Sequence, residues 1–366
     1  MSSPGGIVAS KVVLHIGVQK SGTTFLQHMV HANHQALVEA GVHYPIPRDW
    51  SRGKRTVPNH EWSTYGLLGT EYPWVSEKRA ARESTSWKDL LAQANTCPGT
   101  VLLSAEALSV IRTPAVRRLL TCLDTDDVEV VITTRSLDRA LPSLWQQHIR
   151  NGHSISFNDY LKNLAHHREK NLEDDPSAHI WRAFTLNKLV QRWSRSGATK
   201  VSVVTTPGNP PDLLWERFTQ AIGTPALAQV PLAKEAHTGL TAPETLILAS
   251  LNATLHSSRR EADRIRQTIT ERFQTRDHRG GKVAIPPEWR LRLTEWMHED
   301  LAALQQTPAR VIGDINDLHP STTQTRPPTP EETAQAGAEA ALALAHLTPH
   351  QSPLRRTARR LRRLLP

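Results

Sequence analysis

The stretch from Lys11 to about Ala40 constrains the fold more than any other. Residues 11 to 17, KVVLHIG, form a short apolar run that ends in glycine, the pattern of a strand buried on both faces. From Gly22 the period changes, and Phe25, Leu26, Met29, Val30, Leu37 and Val38 fall at helical spacing. Between strand and helix lies Gly17-Val18-Gln19-Lys20-Ser21-Gly22-Thr23-Thr24. It nearly satisfies the phosphate-loop pattern G-x-x-x-x-G-K-[ST]: Gly17, Gly22 and Thr24 fit, but Thr23 stands in the lysine position and the lysine is inside the loop, at Lys20. A helix N-terminus offers unbonded N–H groups and the positive end of the helix dipole to an anion. The glycines admit an approaching phosphate, and Thr23 and Thr24 add hydroxyl donors. Without a ligand, the same spacing serves only as a tight strand-to-helix turn.

Three more apolar runs read as strands: 100–104 (TVLLS), 128–134 (VEVVITT) and 200–205 (KVSVVT). Helical patterns lie between and after them, near residues 87–93, 114–123, 137–150, 181–194, 211–222, 243–273 and 286–304. Strands alternating with helices predict an α/β fold: a central parallel sheet flanked by helices in three layers, like that of P-loop NTPases, with a helical C-terminal part. The segment 44–74, rich in aromatic and basic residues and weak in periodicity, is expected to be a long functional loop. Residues 1–10 read as a flexible N-terminus, 11–315 as one α/β domain and 316–330, rich in Pro and Thr, as a linker. Residues 331–366 read as a helical, basic tail, with Thr329, Pro330 and Glu332 as its helix start.

Composition excludes several classes. The two cysteines, Cys97 and Cys122, support neither a disulfide scaffold nor a zinc cluster. The sequence has no apolar run long enough to span a bilayer and no apolar N-terminal leader, so a cytoplasmic protein is expected. The net charge of +9 includes six arginines after Leu354; setting them aside leaves +3, too little to argue for a nucleic-acid groove in the folded body. In the tail, Leu354, Ala358, Leu361 and Leu365 form one apolar stripe beside those arginines. That pattern suits peripheral contact with an anionic membrane surface, or a plain solvated terminus.

The loop VQKSGTT resembles the PKSGTT motif of sulfotransferases that use 3′-phosphoadenosine-5′-phosphosulfate (PAPS), with Gln19 where many members have proline. A second motif agrees. The family places an arginine just after a strand and a serine eight residues further on; here VEVVITT is followed by Arg135, and Ser143 comes eight residues later. The resemblance covers residues 11–150 and continues weakly to about 315. It implies that Gln19, Lys20, Ser21, Gly22, Thr23 and Thr24 hold the 5′-phosphosulfate, that Lys20 stabilises the leaving phosphate, and that Arg135 and Ser143 hold the 3′-phosphate. The chemistry implied is in-line sulfuryl transfer to a hydroxyl or amine of a small-molecule, glycan or lipid acceptor, giving 3′-phosphoadenosine-5′-phosphate (PAP), with no metal required and no nucleic-acid partner. In cytosolic members the base follows the strand preceding the arginine strand. Here that position is Glu106, after TVLLS, which equally serves as a first-turn helix residue behind Ser104. His60 and Glu61 are the alternative bases, and Trp62 is a candidate stacking platform. The competing function is a nucleotide-dependent phosphoryl transferase of the same fold, against which the missing lysine at position 23 speaks.

Overall fold

The computed structural model describes residues 10–48, 57–208, 210–232, 239–276, 279–321 and 326–346. The expected flexible N-terminus up to residue 9, the tail stripe, linker residues 322–325 and segment residues 49–56 lie outside the described residues. The strands are β1 (Lys11–His15), β2 (Val42–His43), β3 (Thr100–Ser104), β4 (Val128–Thr134), β5 (Lys200–Thr205) and β6 (Arg310–Ile312). They form one fully parallel sheet in the order β2-β3-β1-β4-β5-β6.

The helices up to β5 are α1 (Thr23–Ala32), α2 (His34–Glu39), α3 (Glu61–Leu68), α4 (Glu77–Ala94), α5 (Thr113–Leu123), α6 (Leu137–Arg150), α7 (Phe157–Arg168), α8 (His179–Phe184) and α9 (Leu186–Ser196). After it come α10 (Asp212–Ala221), α11 (Ala242–Thr254), α12 (Arg259–Gln274), α13 (Pro287–Leu304) and α14 (Pro330–Ala345). None of the described helices is long and apolar enough to cross a membrane.

The chain divides into two compact units. Of the described residues, those within 10–144, 157–232 and 285–321 form the first, which contains the sheet, and those within 145–156, 239–284 and 326–346 form the second. In the first unit, alternation sets the core. Val13, Leu102, Val131, Val204 and Ile312 lie on one sheet face and pack against Leu26, Met29 and Val30 of α1 and Leu214, Trp215 and Phe218 of α10. Val12, Leu14, Val101, Leu103, Val130, Ile132 and Val203, the alternate residues, are buried as well. Burial of both faces is why these strands read as continuous apolar runs. In the second unit α14 packs on α11 and α12 through the small residues Ala336, Ala340 and Ala343. Thr329 and Glu332 close a capping box at its start.

Three expectations need correction. The single helix expected over 22–40 is broken at Asn33, whose side-chain amide donates to Met29 O at 2.8 Å and ends the first helix. The segment 44–74 is not a long loop, because α3 occupies its middle and Gly66 lets that helix close on the backbone of Glu83 in α4. The stretch assigned as linker opens inside the first unit: Leu318 is fully buried, and Asp317 pairs with Arg217 and accepts from Thr205 Oγ1 at 2.8 Å.

Candidate anion-binding site at the strand ends

β1 is the strand at which the winding reverses, since β3 lies on one side of it and β4 on the other. Ligands of open parallel sheets bind beyond the carboxyl ends of the strands at such a point. Three segments meet there: the loop after β1, the turn after β3 carrying Glu106, and the turn after β4 carrying Arg135. Ala105 N–H donates to His15 O at 3.0 Å and Val18 N–H to Thr133 O at 2.8 Å, which sets the three segments side by side.

The loop is shaped by close packing. A Cβ on Gly17 would lie 2.5 Å from Thr23 Oγ1 and closer still to Thr133 Oγ1, so only glycine fits. Gly22 takes φ +92° as the N-cap of α1, and no side chain caps that helix. Lys20 holds the left-handed backbone at φ 66°, a conformation that costs a non-glycine residue about 1–3 kcal/mol and concentrates at functional sites. Its carbonyl is held by Arg135 Nη1 at 2.9 Å.

Beneath the loop the apolar sheet face turns polar one step after its core residues. His15 follows Val13, Ser104 follows Leu102, Thr133 follows Val131 and Thr206 follows Val204, each two residues further along the same side. Their side chains form one buried network. Gln27 Nε2 donates to Ser104 Oγ at 3.0 Å; Ser104 Oγ meets His15 Nδ1 at 2.9 Å; His15 Nε2 meets Thr133 Oγ1 at 3.1 Å; and Thr133 Oγ1 meets Ser21 Oγ at 2.8 Å. Thr206 Oγ1 donates to Ser21 O at 2.8 Å. Burial pushes the His15 imidazole down to about 3, so the ring is neutral, donating through one nitrogen and accepting through the other. This network was missed from the sequence, where its members are single polar letters at the ends of apolar runs. The signal is the shared position: one polar residue after the last core residue of each strand.

The candidate residues fall into two groups. Ser21 is fully buried, its hydroxyl on Thr133 and its N–H on Val18 O at 3.1 Å, so it ties the loop down from below. Gln19 and Lys20 are half-buried, Thr24 is exposed at the start of α1, and Thr23 is buried. Thr23 Oγ1 faces the Glu106 carboxyl. Arg135 Nε is buried without a hydrogen bond, and the charge of Asp138 acts on the guanidinium. Burial and the nearby Arg139 push Arg135 down to about 10, still cationic at neutral pH. Ser143, on α6, is half-buried and turns its hydroxyl back to Arg139 O at 3.1 Å.

Glu106 opens a short 3-10 helix, Glu106–Val110, beside the loop. Burial pushes its carboxyl up to about 7, and the negative charge of Glu61 adds to the rise. Lys20 opposes it, through its ammonium and its backbone N–H, and so does the facing Thr23 hydroxyl. Glu106 thus lies against the loop lysine, with a proton that can be exchanged near neutral pH. His60 does not share this position. Its Nδ1 accepts from Ser104 N–H at 2.8 Å and its Nε2 donates to Pro45 O at 2.8 Å, fixing a neutral tautomer that joins α3 to the end of β3. Glu61 is the first residue of α3, and its Oε1 accepts from Ala107 N–H at 3.0 Å. Trp62, next on α3, is half-buried.

The arrangement can hold an anion on a loop and helix N-terminus, bring a second anionic group to Arg135, and take a proton at Glu106. No protein-family model, characterised protein or solved structure matches this chain.

Proposed function

We propose that this chain is a PAPS-dependent sulfotransferase of the P-loop-like α/β class, acting on a hydroxyl or amine. The observation that carries the reading is the convergence, at one end of the sheet, of a strained loop lysine, an arginine whose Nε is buried and unbonded, and a carboxyl near neutrality. The residues fit such a donor. The start of α1, where the N-cap Gly22 offers no side chain, suits a 5′-phosphate, and the unused Nε of Arg135 suits a further phosphate. When bound, PAPS supplies a sulfuryl group on a phosphate leaving group. Lys20 would neutralise charge developing on the leaving oxygen, and its fixed backbone would hold that ammonium ready. The glycine loop and the N–H groups of α1 would bind and orient the donor, with Ser21 and the network beneath keeping the loop in shape. Arg135 would bind the 3′-phosphate, which distinguishes PAPS from ATP, with Ser143 adding its hydroxyl after turning away from Arg139 O. Glu106, in its ionised form, would accept the acceptor's proton at a carboxylate oxygen.

Calorimetric titration with PAP and with ADP, both without magnesium, tests the reading. The expected result is PAP binding at least about tenfold tighter, the difference one charge-assisted phosphate contact makes. Equal or absent binding overturns it, and magnesium-dependent ATP binding would favour a phosphoryl transferase.

A further inference from the structure

We infer that Glu61 is a positioning residue for Glu106, rather than a second base: its carboxylate fixes the turn that carries Glu106 and sets a negative charge beside it. The inference rests on the reading of Glu106 as the group that takes the acceptor's proton.

The geometry gives Glu61 two tasks. Oε1 accepts the N–H of Ala107, the residue after Glu106, at 3.0 Å, and so caps the short helix that Glu106 begins. That helix has no side-chain cap bond from its own N-cap residue, Ala105. Glu61 itself is anchored at the start of α3, where its N–H is held by Asn59 Oδ1 at 3.2 Å and its carbonyl by Thr64 Oγ1 at 2.8 Å. A carboxylate committed in this way to a backbone N–H is a poor proton carrier but a good fixed charge.

Few other charges reach Glu106. The loop after β1 brings Lys20, which favours the ionised form, and α3 brings Glu61, which opposes it. α8, which also packs on the short helix, carries Arg182 and His179; Arg182 is bound to Val110 O at the far end, and His179 packs its ring edge-on to Trp74. Behind Glu61 stand Tyr65 and Tyr72, both kept neutral by burial, so they add no charge. Among the described residues, Glu61 is therefore the negative group that opposes Lys20 at Glu106. Removing its charge while keeping its shape should leave the turn intact and make Glu106 a stronger acid.

Two substitutions separate the tasks. Glu61→Gln retains an oxygen for Ala107 N–H but no charge; Glu61→Ala retains neither. In the full-length protein, the Glu106 carboxyl is followed by carbon NMR with carboxyl-labelled glutamate, assigned by its loss in Glu106→Gln. Its titration midpoint should fall in E61Q by about one pH unit or more. Amide exchange at Ala107 should stay slow in the wild type and E61Q and quicken at least about tenfold in E61A. An unchanged midpoint in E61Q, or unchanged exchange in E61A, overturns the inference. PAP titration of the wild type is run alongside. Its failure would overturn the sulfotransferase reading and leave both Glu61 measurements standing; normal PAP binding with an unmoved midpoint would remove only the role of Glu61.

Discussion

Replacing Glu106 with glutamine should stabilise the protein, and only at higher pH. An ordinary glutamate titrates near 4.5, whereas Glu106 in the fold is pushed up to about 7, first by burial and then by Glu61. Below the lower value both folded and unfolded chains carry the proton, and Glu106 costs the fold nothing. Between the two values the unfolded chain gives up its proton first, so the native state loses stability steadily; above the upper value both are ionised and the loss is constant. At about 1.4 kcal/mol per pH unit, the gap corresponds to a ceiling of about 3.4 kcal/mol. Glu106 keeps part of its surface accessible, and water reduces the figure to about 2–3 kcal/mol. Urea unfolding of wild type and E106Q across pH measures this directly. The two should be equal at about pH 4, and E106Q should be more stable by about 2–3 kcal/mol at about pH 8. A difference that is the same at both ends, or one that favours the wild type at high pH, would refute the buried-carboxyl argument whatever the protein's activity.

Three further outcomes follow from the same site. Lys20→Ala should lower PAPS-dependent turnover by about a thousandfold or more while circular dichroism stays unchanged, and Lys20→Gly, which relieves the left-handed backbone, should unfold at higher urea by about 1 kcal/mol while being equally inactive. Arg135→Ala should weaken PAP binding by about 10- to 100-fold in calorimetry and leave ADP nearly unaffected, because only the former carries a phosphate at the 3′ position. Gly17→Ala should lower the unfolding free energy by about 1–3 kcal/mol, since the new Cβ must push aside the Thr23 and Thr133 hydroxyls.

The four interior strands were legible because burial on both faces demands runs of β-branched and aliphatic residues, and β3, β4 and β5 begin and end where the runs do. The edge strands β2 and β6, with two and three residues, leave too short a pattern to read. Helix α3 was hidden for another reason. Its residues Ser63, Thr64, Tyr65, Leu67 and Leu68 are buried around Gly66, so no amphipathic stripe marks it. At the site, the loop was visible through glycine spacing, whereas Glu106 was singled out only through the resemblance to sulfotransferases. The hydrogen bonds of His60 were not visible, because a sequence does not show that Ser104 N–H and Pro45 O meet its two ring nitrogens. Nor did it show where the loop hydroxyls point: Ser21 turns inward to Thr133 and Thr23 faces Glu106.

The polar network beneath the loop also sets when, during synthesis, that loop can first be fully supported. Its bonds join residues far apart along the chain: 89 residues from His15 to Ser104, 118 from His15 to Thr133 and 185 from Ser21 to Thr206. A nascent chain that ends before Val128 has the glycine loop but lacks the strand that borders β1 on one side. Until Thr206 has left the ribosome, Ser21 has no hydroxyl to hold its carbonyl. Closing such distant contacts is the slow part of forming a parallel sheet. The support beneath the loop is therefore completed late, and a fragment that ends in the first half of the chain would carry the loop's letters without the hydroxyl of Thr206 that holds Ser21 O.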